Sequence, residues 1–194
     1  MTNIHLSQEM IARIAYVAQF AGTQDIRYYL TGVCLQNTSE GFFAVATNGH
    51  VLAYAKLGDK LGDDFEIILP ISAAKIIASC KEIAGIDLEH ESATKQLSLK
   101  TQDGTQTLKA IEGKYPDWRR IVPQDDNNAQ LGDKPLGLSV IYLAWLDKAM
   151  KAFKKHDKSI GEGVGFKYHG YSSPVVFEPE GVSGIKVLLM PRRV

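Results

Sequence analysis

The sequence predicts an α+β fold in which one unit, a strand, a helix and three further strands, recurs along the chain. Antiparallel sheets are expected on the outside, with the helices on one face. Apolar residues at helical spacing appear in three separated stretches, and each has short β-forming runs before and after it. Glycine, asparagine and aspartate turns separate those runs at hairpin lengths. No sequence identity links the three stretches, so the repeat is one of structure. Each unit has an apolar sheet face and an apolar helix stripe, so the units should pack side by side.

In the first unit, Ile4-His-Leu6 is a short extended entry, and Ser7 is placed to cap a helix running to about Phe20. Met10, Ile11, Ile14, Val17 and Ala18 give that helix one apolar face. Gly22 then reads as its terminator through a positive φ. Strands are predicted over Arg27–Leu35, Phe42–Thr47 and Val51–Lys56, with Asn48-Gly49 as the strongest hairpin signal.

The second unit opens with Phe65–Leu69, followed by Pro70 and a helix from about Ser72 to Ala84 with Ile76, Ile77, Cys80 and Ile83 as its stripe. Gly85 stops it, and strands follow at Asp87–His90, Gln96–Lys100 and Thr105–Ile111, with Asp103-Gly104 as a tight turn. A third unit begins after a polar loop, Gln124–Asp133. Its strand is Pro135–Leu138, Ser139 caps a helix through about Lys155, and strands lie near Gly163–Tyr168, Pro174–Glu178 and Ile185–Met190. The predicted organisation is therefore residues 1–123 as two units, 124–133 as a loop, and 134–194 as a single unit.

Between the second and third units lies Tyr115-Pro-Asp-Trp-Arg-Arg-Ile-Val-Pro123. Its two prolines lack N–H donors and push the preceding residues towards extended conformations. It reads as an extended connector that lines any cleft between the modules it joins.

Lysine and arginine number 22, as do aspartate and glutamate, so the overall balance of charge selects neither nucleic acid nor membrane. Cys34 and Cys80 are far apart and without metal-ligand spacing, which suits small core residues in a reducing cytoplasm. The N-terminal residues lack a signal peptide's basic and apolar regions, and no apolar run reaches membrane-spanning length, so a cytoplasmic protein is expected. His5, His90, His156 and His169 are scattered, and His50 has no serine or cysteine motif to serve as a base for, so neither metal, cofactor nor catalysis is expected. Gly161-Glu-Gly-Val-Gly165 follows a helix and enters a strand, the reverse of a phosphate-binding loop, and reads as a turn.

The organised charge is on the third helix. Lys148, Lys151, Lys155 and Lys158 recur at three- and four-residue spacing, with Lys154 beside them. A solvated face and a phosphate-tracking surface both fit that stripe. Lys75, Lys81 and Arg13 would add weakly to the second.

Three stretches together resemble the bacterial DNA polymerase III β subunit, the sliding clamp. Asp25–Gly32 with Val45–Ala53 is similar to that family's middle domain. Gly113–Pro123 is similar to the signature between its middle and last domains, and Val187–Val194 to its C-terminal tail. The resemblance covers Met1 to about Pro123 as a middle domain, and Lys134–Val194 as the second half of the last domain. A first domain and the other half of the last have no counterpart.

The resemblance implies a clamp fold, helices facing duplex DNA, and an apolar pocket for short peptides of polymerase, clamp-loader or repair proteins. Carried over by position, the pocket comprises Leu30, Thr47, Gly49, His50, Leu52, Pro116, Arg120, Ile121, Leu188, Met190, Pro191 and Arg193. Such side chains suit a concave apolar floor with a few polar orienting groups. Val51 and Arg192 depart from the usual arginine and methionine, which implies altered peptide preference, with acidic residues favoured near Arg192. A non-catalytic peptide-binding module and a small clamp closed by homo-oligomerisation around DNA both follow from the resemblance. Four three-unit chains would tile a twelve-unit ring.

Overall fold

The computed structural model describes residues 1–81, 84–124 and 136–192. Strand β1 (Thr2–Leu6) leads to Ser7, whose hydroxyl accepts from the Met10 N–H at 3.4 Å and starts α1 (Gln8–Val17) at the expected place. A 3₁₀ turn, Ala18–Phe20, finishes the helix, and Ala21 returns the chain to extended geometry. Gly22 is not left-handed, so the predicted termination through a positive φ is corrected. Another 3₁₀ turn, Tyr28–Leu30, replaces the start of the predicted strand. Local bonds favour it: Asp25 accepts from both the backbone and the guanidinium of Arg27, and Thr31 donates to the Tyr28 carbonyl.

Strands β2 (Gly32–Thr38), β3 (Gly41–Thr47) and β4 (Val51–Gly58) form the expected meander, and β5 (Phe65–Pro70) leads to α2 (Ile71–Ser79). Helix α2 is shorter than predicted. Cys80 is already extended, the Ser79 hydroxyl donates to the Ile76 carbonyl, and Lys81 lies beyond the helix; Ile83 falls outside the described residues. Gly85 turns the chain (φ 83°) rather than stopping the helix, and a Cβ there would sit 2.3 Å from the Leu6 carbonyl oxygen.

Strands β6 (Ile86–Glu91), β7 (Gln96–Thr101) and β8 (Gly104–Lys109) complete the second unit. The third consists of α3 (Val140–Lys154), β9 (Val164–Lys167), β10 (Val175–Pro179) and β11 (Ile185–Leu189). Of the predicted strand at Pro135–Leu138, Pro135 is not described, and Gly137 makes one isolated bridge, to Arg192. Most of the predicted polar loop is likewise outside the described residues.

The units interlock instead of lying side by side. Strand β1 leaves its own unit to pair with β6 in a four-stranded sheet, β1-β6-β7-β8, and β5 crosses to pair with β2. The third unit adds to the first through β11 and β4, so the second sheet has seven strands, β5-β2-β3-β4-β11-β10-β9. Alternation along the strands gives this sheet two apolar faces. Val51, Ala53, Val187 and Leu189 point to the helices, where α1 lies between α2 and α3. Leu52 and Leu188, directly opposite each other in the ladder, point to the other side.

The connector covers that second face. Trp118–Ile121 forms a 3₁₀ turn, which corrects the fully extended expectation. The turn lets Tyr115 and Trp118 both bury, at 3% and 4% exposure, against Leu30, Cys34, Phe43, Val45, Leu52, Ile68, Val176 and Leu188. Trp118 packs tilted against Tyr54, with 4.6 Å between ring centroids, and its indole N–H donates to Gln36 at 3.1 Å. Arg119 lies 4.3 Å from the Trp118 ring and reaches Gln36, Thr38 and Glu40 on the β2–β3 hairpin. No helix among the described residues is long and apolar enough to cross a membrane.

Removing the indole should expose the apolar floor beneath it. Trp118→Ala is expected to lower stability by about 3–5 kcal/mol in urea titrations; a loss below about 1 kcal/mol would show that the connector is a passive strap. A pH dependence is also expected. Burial lowers the His90 and His156 pKa values from the ordinary 6.5, so the unfolded chain takes up protons first as the solution is acidified. The histidine contribution to stability is present above about 6.5 and is lost as pH falls from there towards the folded-state values. His90→Gln should flatten that loss between pH 7.5 and 5, and an unchanged slope would contradict it.

Candidate functional site

The Asn48-Gly49-His50 turn between β3 and β4 is rigid. Asn48 Oδ1 accepts from the His50 and Val51 N–H groups, while Thr47 Oγ1 accepts from Gly49 N–H and donates to the Val51 carbonyl at 2.7 Å. Gly49 sits at φ 89° with the Arg27 guanidinium against it, so a side chain has neither the backbone geometry nor the room. Arg27 donates to the Asn48 carbonyl at 3.3 Å and is held by Asp25, whose carboxyl those hydrogen bonds pull down to about 2.

The C-terminal tail docks on this turn. Strand β11 pairs with β4 up to Leu189 opposite Val51, and the Met190 N–H reaches the His50 carbonyl at 3.3 Å. The tail is tied back by Arg192 N–H to the Gly137 carbonyl at 2.8 Å. The first turns of α3 close the third side. Tyr142 stacks on His50, with 6.4 Å between centroids and 21° between planes, and its hydroxyl meets Asn48 Nδ2 at 3.3 Å. Trp145 packs edge-on to Tyr142 at 5.1 Å.

Turn, tail and helix enclose a hollow of about 460 Å³ lined by His50, Met190 and Pro191, together with Asn48, Ser139, Ile141, Tyr142, Trp145 and Arg192. Met190 is 42% exposed and Ile141 62%, so apolar surface stands open there. The aromatic walls and the histidine offer stacking and hydrogen-bonding groups. Among the described residues no three histidine, cysteine, aspartate or glutamate side chains cluster as a metal site would need.

The predicted pocket residues fall into three groups. His50, Met190 and Pro191 line the hollow, with Thr47 and Gly49 shaping the turn behind it. Leu30, Leu52 and Leu188 are only 1–2% exposed, because Tyr115 and Trp118 already occupy the face they floor. Pro116, Arg120 and Ile121 stand exposed on the connector and do not line the hollow; Arg193 lies outside the described residues. Asn48, Ile141, Tyr142 and Trp145 were missed. Tyr142 and Trp145 are one helical step apart, a spacing that a core stripe shares, so the sequence carries no separate signal for them.

The basic residues also divide. Lys148, Lys151 and Lys155 are exposed along α3 and its end, with Lys151 paired to Asp147 at 2.7 Å. Lys154 is half-buried, 3.6 Å from Glu162, and Lys158 lies past the helix, as exposed as Lys75 and Lys81. Arg13 is not a surface cation. It is 11% exposed, paired with Glu9, and donates to the Lys56 and Ser183 carbonyls, bracing α1 against β4 and the β10–β11 turn.

Residues 5–117 match the model of the DNA polymerase III beta subunit, central domain. The Beta sliding clamp of Pseudomonas aeruginosa is 30% identical over 141 residues, covering 68% of this chain and 37% of that protein. The Escherichia coli K12 Beta sliding clamp is 29% identical over 133 residues, covering 66% of this chain and 36% of its own length. This chain thus spans little more than a third of the curated relatives it matches.

Among solved structures, the Pseudomonas aeruginosa DNA polymerase sliding clamp with ligand aligns at TM-score 0.78 and 20% identity, over 99% of this chain and 66% of that one. The Borrelia burgdorferi DNA polymerase III subunit beta, in complex with a natural product, aligns at TM-score 0.78 and 12% identity, over 100% and 63%. At such identities these two show the fold alone, and the sequence matches supply kinship. The interlocked strand–helix units, the connector and the tail docked on the Asn-Gly turn belong to a member of the DNA polymerase III β subunit (sliding clamp) family.

Proposed function

We propose that this chain is a non-catalytic, cytoplasmic sliding-clamp-like protein of DNA replication or repair. It binds short linear peptides of polymerase, clamp-loader or repair partners. The observation that carries this reading is the hollow where His50, Tyr142, Met190 and Pro191 converge. An extended peptide would lay apolar side chains against Met190 and Pro191 and place a ring on Tyr142. Arg192 at the rim favours a peptide with an acidic residue nearby. Tyr115 and Trp118 cover the face above Leu52 and Leu188, so the reading rests on the hollow.

A labelled clamp-binding peptide titrated against the protein should bind saturably, and Met190→Ala should weaken it roughly tenfold. Absence of saturable binding at millimolar peptide, or a Met190→Ala variant that binds equally well, would refute the proposal. Replacing the peptide's acidic residue by its amide should cost affinity in the parent chain and much less in Arg192→Ala.

A second reading is a small clamp that surrounds duplex DNA as a homo-oligomer. The support for it is the exposed line of Lys148, Lys151 and Lys155 along α3 and its end, with Lys75 exposed on α2. Point charges without base contacts imply sequence-indifferent binding that weakens about tenfold or more between 50 and 200 mM salt. Binding to DNA that Lys148→Ala/Lys155→Ala leaves unchanged would remove this reading.

A further inference from the structure

An asparagine followed by glycine can close a ring on itself. The glycine nitrogen attacks the side-chain amide carbon, and ammonia leaves. Glycine hinders this least of all residues, because no Cβ stands beside the nitrogen. The chain contains this pair once, at Asn48-Gly49. Asn48 is half-buried on the wall of the hollow, while Gly49 and His50 are exposed, so water reaches the turn.

The carbonyl open to attack is already polarised. Asn48 Oδ1 accepts from the His50 N–H at 3.0 Å and from the Val51 N–H at 3.1 Å. Negative charge gathers on that oxygen when a nucleophile adds to the carbon, and two fixed amide donors stabilise it there. The leaving nitrogen, Nδ2, lies 3.3 Å from the Tyr142 hydroxyl, which can pass it a proton as it becomes an amine. The nucleophile is what the fold withholds. The Gly49 N–H donates to Thr47 Oγ1 at 3.0 Å. That hydroxyl donates its own hydrogen to the Val51 carbonyl at 2.7 Å, which keeps its lone pairs turned to Gly49. While the bond stands, the nitrogen keeps its proton and points that proton at Thr47.

We propose that Asn48 is a site of spontaneous deamidation, its carbonyl activated by the His50 and Val51 amides and its nucleophile guarded by the Thr47 hydroxyl. When the Thr47 bond opens, the Gly49 nitrogen bonds to Asn48 Cγ and the Cγ–Nδ2 bond breaks. The NH2 group and the proton lost from Gly49 leave together as ammonia. Water then opens the ring at either carbonyl, to aspartate or to isoaspartate, whose backbone runs through the side chain and is longer by one methylene. Both products lack the Nδ2 donor that meets Tyr142, and both place a carboxylate beside the Arg27 guanidinium that lies against the turn. The isoaspartate also lengthens the loop between the paired residues Thr47 and Leu52, next to the Val51–Leu189 pair that docks the tail. The His50 wall of the hollow therefore has a finite chemical lifetime, whether or not a peptide is its ligand.

Peptide mapping by mass spectrometry on the full chain, aged in mildly alkaline buffer, tests the proposal. Of Asn3, Asn37 and Asn48, the last should be the one converted, with isoaspartate in the product. Thr47→Val removes the acceptor at nearly constant volume, and the Val51 carbonyl still accepts from the Asn48 N–H at 3.3 Å. That variant should convert Asn48 about fivefold faster than the parent. Thr47→Ser keeps a hydroxyl at this position and should convert at the parent rate. Amide exchange in residues 41–47 and 51–58 should be alike in all three proteins. An Asn48 that stays intact in folded Thr47→Val overturns the proposal. Equal rates in Thr47→Val and the parent do so too, as does a Thr47→Ser as fast as Thr47→Val. Faster conversion accompanied by lost protection in both strands also overturns it, because unfolding and not the hydroxyl would then be the gate.

Discussion

The pairing of β11 with β4 is the constraint on which the rest of the molecule depends. Five residue pairs, from Ile185–Ala55 to Leu189–Val51, join β11 to the closing strand of the first unit. Without them the third unit has no sheet to extend, and the tail has no reason to meet the Asn48-Gly49 turn. The pairing also aligns Leu188 with Leu52 on one face and places Val187 and Ala53 on the other. A slip of one residue would exchange those faces, so both cores enforce the register.

Each core then has its own cover. Helices α1, α2 and α3 close one face, and the connector closes the other with two aromatics and an arginine. Tyr115 is buried deeply enough that its phenol is pushed far above the ordinary value, and the Cys34 thiol beneath the same cover is raised as well. The connector is therefore part of the core, and its prolines set where the chain enters and leaves it. The hollow at the strand ends keeps apolar side chains such as Met190 and Ile141 reachable.

Local signals in the sequence predicted local structure well. Ser7, Ser139, the Asn48-Gly49 turn and the three apolar stripes marked elements that the structure contains within a few residues. The exchange of β1 and β5 between units was not legible, because strand partners separated by 28 to 88 residues leave no mark in either strand's own pattern. Helix α2 ended early for a reason of single atoms, a serine hydroxyl competing for a carbonyl. Of the two adjacent arginines, likeness to the family singled out Arg120, yet Arg119 makes the contacts that anchor the connector. Their order in the sequence does not reveal which side chain a 3₁₀ turn aims at the sheet. For the candidate site, His50, Met190 and Pro191 were readable by position, while Tyr142 and Trp145 became visible only when α3 was packed against the turn.

The most direct test of this account is amide hydrogen exchange along β4 and β11. If their pairing holds the molecule together, the ladder amides of residues 185–189 should exchange as slowly as those of residues 51–55, with both governed by global unfolding. Fast exchange in 185–189 beside protected amides in 51–55 would mean that the tail is only loosely laid against the sheet, and would contradict the account.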